Sequence, residues 1–77
     1  MKLYLISQTE VQGFDTYDSA VVCANTEEDA KNIHPNGGVA GDSYIEWCSP
    51  AAVTVKYLGQ AEGNLAAGVV CASFNAG

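Results

Sequence analysis

The chain has 77 residues, with nine acids against three bases, a formal charge of −6 and a pI near 4.2. At this length folding covers only about 60–65% of the surface the open chain exposes, so residues 1–77 can hold one small core, which excludes two domains or a repeat array. All three bases are lysines (Lys2, Lys31, Lys56) and there is no arginine, which argues against phosphate recognition and against an anionic membrane surface.

The opening Lys2-Leu3-Tyr4-Leu5-Ile6-Ser7 is rich in strand-forming residues and apolar on both alternating faces, which predicts a central strand. Thr9 to Asp18 breaks the pattern with Gly13 and three acids, predicting a hairpin loop. Ser19 to Ala24 is a short apolar strand that the loop would return antiparallel to the first.

The clearest local signal follows. Thr26 stands where it can cap a helix over residues 27–33, with Asp29 placed to complete a capping-box variant. Glu27, Glu28 and Asp29 complement the positive end of the helix dipole, and Glu27–Lys31 is a favourable i,i+4 pair. Ala30 and Ile33 are spaced to face a sheet, and Pro35 stops the helix. Residues 35–38 read as a loop, and Ser43–Cys48, with the single tryptophan, as a strand or an ordered crossing. Ala52–Leu58 is a strand with Val53, Val55 and Tyr57 on one side, Gly59–Asn64 turns the chain, and Gly68–Phe74 is the last strand. The order β-β-α-β-β-β predicts an α+β domain: an antiparallel sheet of four to five strands with one short helix on a face.

The cysteines Cys23, Cys48 and Cys71 are odd in number and form no C-x-x-C pair. That usage fits a reduced, intracellular chain better than a disulfide scaffold. The apolar run at the start is too short for a signal peptide, and no 18-residue apolar run occurs. The expected setting is the cytoplasm.

No catalytic motif is present, and no catalytic, cofactor or metal-binding residues are assigned. A Cys–His nucleophile would need His34 beside a cysteine, yet a reactive thiolate wants positive neighbours that this chain lacks. The three cysteines are too scattered to supply zinc with His34, whose position before Pro35 suits a residue that caps the helix end or is solvated there. Asp15-Thr16-Tyr17-Asp18 lacks the glycine and closing glutamate of an EF-hand loop and reads as turn chemistry. Paired-carboxylate hydrolysis would need a cleft that so small a domain has little room for.

The acids are distributed more tellingly. From Leu3 to Ala30 there are six (Glu10, Asp15, Asp18, Glu27, Glu28 and Asp29) and no base. Acids at a helix start stabilise it without any partner, and a charge of −6 also serves solubility. Phe14 and Tyr17 stand among the loop acids, and aromatic anchors ringed by charge are what interface hot spots look like. Insertion of either ring into the core is the alternative. The candidate partner-binding residues are therefore Glu10, Phe14, Asp15, Tyr17, Asp18, Glu27, Glu28 and Asp29, and the partner they suit is a basic protein surface.

The opening MKLYLISQ, the stretch GFDTYDSAVV (13–22), Ile33-His34-Pro35, the strand VTVKYLG (53–59) and the ending ASFNAG (72–77) resemble a family of small bacteriophage and prophage proteins. The resemblance spans most of the chain outside residues 36–52, where this sequence is shorter than longer members. It carries over no catalytic residue and implies a phage gene product in a bacterial cytoplasm. In size, charge and setting such a protein is similar to anti-CRISPR inhibitors, which implies an acidic surface laid on the nucleic-acid-binding surface of a host Cas surveillance complex. The alternative is a small binding module or structural phage protein whose charge serves solubility alone. Dimerisation through a sheet edge is compatible with either.

Overall fold

In a computed structural model, which describes residues 1–13, 15–37 and 47–75, the opening alternation becomes β1 (Lys2–Ser7). It pairs antiparallel with β2 (Thr16–Ala24) on one side, Leu5 opposite Val21 and Ile6 opposite Ala20. On its other side lies β3 (Thr54–Gln60), with Ile6 opposite Val55. The last strand, β4 (Gly68–Asn75), pairs with β2, so the order across the sheet is β3-β1-β2-β4. The described residues thus form a four-stranded antiparallel sheet with one short helix, a small α+β fold that is mostly sheet. The strand apolar on both faces is central, as the pattern requires, because a central strand meets neighbours on both edges and side chains on both surfaces.

The helix α1 (Glu27–Lys31) is shorter than its sequence pattern suggests. The Thr26 cap at its start is as expected, its hydroxyl accepting from the Asp29 N–H at 3.1 Å. Its end comes early because Asn32 caps it: the Asn32 N–H bonds the Asp29 carbonyl at 3.2 Å, and its side chain donates to the Glu28 carbonyl at 2.8 Å. Asparagine offers the backbone such local alternatives to a further helical turn.

One face of the sheet carries the core. Tyr4 and Ile6 of β1 and Ala20, Val22 and Ala24 of β2 lie against Ala30 of α1 and against Trp47, Cys48 and Val53. Ile6, Val22, Ala30 and Trp47 have no exposed surface, and burying an isoleucine or valine side chain contributes about 1.5–3 kcal/mol. Ile33 packs at the margin of the same cluster. A 3-10 turn over Pro50–Ala52 leads from Trp47 and Cys48 into β3. Trp47 and Cys48 are not in a strand, while positions 43–46 of the expected strand or crossing lie outside the described residues.

The opposite face of the sheet is more open. Leu3, Leu5 and Val21 are only half-buried there, and Cys23 is covered by Met1, their sulfurs 3.6 Å apart. Three register shifts bend the sheet. Leu58 is the extra residue of β3, Val70 that of β4 and Asp18 that of β2. Gly59, beside the β3 bulge, takes φ 151°, a conformation open to glycine and strained for residues with a Cβ.

Candidate partner-binding surface

The β1–β2 loop is held by side chains reaching for its own backbone. Gln8 is buried, and its amide nitrogen donates to the carbonyls of Val11 (2.7 Å) and Tyr17 (2.8 Å). Its amide oxygen accepts the Val11 N–H at 2.8 Å. Gln12 donates to the Thr9 carbonyl at 2.7 Å, and the buried Thr16 hydroxyl to the Gly13 carbonyl at 2.8 Å. Gly13 and Asp15 both take positive φ, 110° and 62°. Aspartate is among the few residues that enter the left-handed region at little cost. This clamped loop presents Glu10 and Asp15 to solvent, with Asp18 exposed just inside β2.

Tyr17 stands at the start of β2, half-buried against the margin of the core rather than free in the loop. Its ring meets Phe74 of β4 at 4.7 Å between centroids and stands edge-on to His34 at 6.0 Å. Phe74 is 42% exposed, so it supplies the accessible aromatic surface beside the loop acids. Phe14 lies outside the described residues. Phe74 was not legible as a site residue, because only the β2–β4 register, which sets it opposite Tyr17, brings it there.

Glu27, Glu28 and Asp29 are exposed as well, but at the far end of β2. Nine residues of strand at about 3.3 Å each separate the two ends by roughly 30 Å. The structure therefore divides the acids into two groups. The helix group has bases at hand: Lys2 lines a shallow depression with Glu27, Tyr4 and Tyr57, and Lys31 closes the last turn of α1. No lysine lies in the chain between Ser7 and Ser19, and Lys56 of β3 stands opposite Leu5, two residues from the loop end of β1.

The remaining chemistry-bearing groups are kept apart or enclosed. His34 is buried, which excludes the solvated alternative of the two read for it at the helix end. The ring tucks under Tyr17, and its Nδ1 accepts the Asn36 N–H at 3.1 Å. That bond assigns the remaining proton to Nε2, which, like Trp47 Nε1, has no partner among the described residues. Cys23 lies on the opposite side of the sheet from the core that His34 adjoins, and Cys71 is exposed on β4. Burial pushes the Cys48 thiol above its ordinary range; its own backbone N–H counteracts this in part, and the negative charge of Glu10 adds to it. A depression lined by Glu10, Val11, Cys48, Ser49 and Ala52 lies beside the loop. Among the described residues no three His, Cys, Asp or Glu side chains gather in a way that would hold a metal ion, and no helix is long and apolar enough to cross a membrane.

Compared with protein-family models, with curated proteins and with solved structures, the chain finds no match in any of the three.

Proposed function

We propose that the protein is a non-enzymatic inhibitor of the anti-CRISPR kind, acting in the bacterial cytoplasm by binding a basic surface of a Cas surveillance complex. The observation that carries this reading is the loop end. Glu10, Asp15 and Asp18 are exposed on a clamped loop and strand start, with the accessible ring of Phe74 beside them on Tyr17. Carboxylates on a pre-ordered backbone stand in for the phosphates of target DNA at low entropic cost, and the aromatic ring supplies an apolar anchor. Lysine and arginine side chains of the partner then exchange DNA for protein, which blocks target binding. The sequence resemblance to phage proteins supports the setting, and the net charge of −6 supports the sign of the partner.

The test is capture from a bacterial lysate carrying CRISPR systems, using tagged protein and elution by a salt gradient. Recovery of a Cas complex released at moderate salt is expected, since screening weakens contacts between exposed charges. The triple neutralisation E10Q/D15N/D18N should abolish retention, with asparagine chosen at position 15 because it tolerates the left-handed backbone. The helix-end set E27Q/E28Q/D29N should retain it. Recovery of no nucleic-acid-handling protein, or equal retention by the loop variant, overturns the reading.

A further inference from the structure

β4 occupies one edge of the sheet, and among the described residues its one strand neighbour is β2. The outer side of an edge strand presents backbone N–H and C=O groups ready to pair with another strand, and proteins normally blunt such edges with charge or distortion. β3, at the other edge, has both: Lys56 at its middle and a bulge at Leu58 followed by Gly59. β4 has a bulge of its own only at Val70; the second shift of its ladder, opposite Ser73 and Phe74, comes from the extra residue Asp18 on β2. Its eight residues, Gly68–Asn75, contain no charge in a chain of net −6. Cys71, Ala72 and Ser73 are exposed, Val70 is 50% exposed and Phe74 42%.

We propose that β4 is a self-association edge, pairing antiparallel with β4 of a second copy to continue the sheet across the dimer. Charge selects this occupant. The edge of β4 offers a basic partner no charge to pair with, and a second β4 brings no like charge against the first. An antiparallel pair obeys two-fold symmetry, each residue meeting its counterpart reciprocally. It also sends the two β1–β2 loops, with Glu10 and Asp15, in opposite directions. This inference stands on the sheet edge, shares Phe74 with the surface proposed above, and does not require the basic partner.

The two associations respond oppositely to salt. Binding to a basic surface weakens as salt is added, while association of two anions tightens as their mutual repulsion is screened. Sedimentation velocity over a range of protein concentrations should show a monomer–dimer equilibrium that shifts toward dimer with salt. Ser73→Lys places a charge on the exposed edge and should leave a monomer at every concentration. Thr54→Lys, on β3, should dimerise like the parent. Hydrogen exchange on the unmodified protein adds a readout that needs no variant: amides within residues 71–75 should exchange more slowly at high concentration. A monomer under all conditions overturns the proposal. So does a dimer that survives Ser73→Lys, or one whose formation leaves exchange in residues 71–75 unchanged.

Discussion

Tyr17 and Phe74, 57 positions apart in the chain, lie opposite each other in the β2–β4 register, with ring centroids 4.7 Å apart at an interplanar angle of 53°. Tilted aromatic pairs of this kind contribute about 0.5–1.5 kcal/mol beyond the area they bury. The pair fastens the end of β4 to the start of β2, beside the acidic loop. Phe74→Ala should therefore lower stability by about 1–2 kcal/mol, less than a core truncation because the ring is half in water. A urea titration followed by Trp47 fluorescence measures it, and a loss above that of Ile6→Ala would contradict the assignment.

Gln8 does for the loop what Tyr17 does for the strand. Its three hydrogen bonds hold Val11 and the Tyr17 carbonyl from a buried position. Gln8→Ala leaves those backbone groups to find water or remain unpaired, and is expected to cost about 1–3 kcal/mol. Amide exchange should quicken at Val11 well before the strands are affected. Unchanged protection at Val11 would mean that the loop orders without its clamp.

The core is small, so a single truncation removes much of its stability. Ile6 has no exposed surface. Ile6→Val should cost about 0.5–1.5 kcal/mol and Ile6→Ala about 2–5 kcal/mol. A domain of this size has only on the order of 4–11 kcal/mol in total, so the alanine variant should sit near the edge of unfolding at ambient temperature. Circular dichroism in urea separates the two.

The thiols should report burial directly. Cys71 is exposed, whereas Cys23 and Cys48 are buried, so a thiol reagent should label one cysteine at once and the other two only as the protein opens. For Cys48 the folded thiol is raised by burial above its unfolded value. The unfolded thiol therefore loses its proton first as pH rises, and stability present below about pH 8.5, the ordinary cysteine value, declines above it. Cys48→Ala should flatten that alkaline decline in the urea midpoint, even if the variant is less stable at neutral pH. An identical alkaline slope in both proteins would contradict the assignment.

The helix start was readable because a cap is a local device. Thr26 and Asp29 are three residues apart, and no distant residue is needed to bring them together. The helix end was harder to read, because Asn32 competes for the backbone in a way that charge pattern and spacing do not register. The sequence reads His34 as capping or solvated at the helix end, yet it is buried with its ring edge-on to Tyr17, a contact between residues that local spacing does not register.

From composition and alternation alone came the α+β class, the four described strands, β1 at the centre and the net negative charge. Each follows from period-two patterning, turn residues or net charge, properties of neighbours along the chain. Tertiary structure decided which acids belong together. It set Glu10, Asp15 and Asp18 at one end of β2 and Glu27, Glu28 and Asp29 roughly 30 Å away at the other. It also brought Phe74 to the loop and left an uncharged β4 on the sheet edge. Strand order and register join residues far apart in sequence, and the pattern of each strand by itself is compatible with several such pairings.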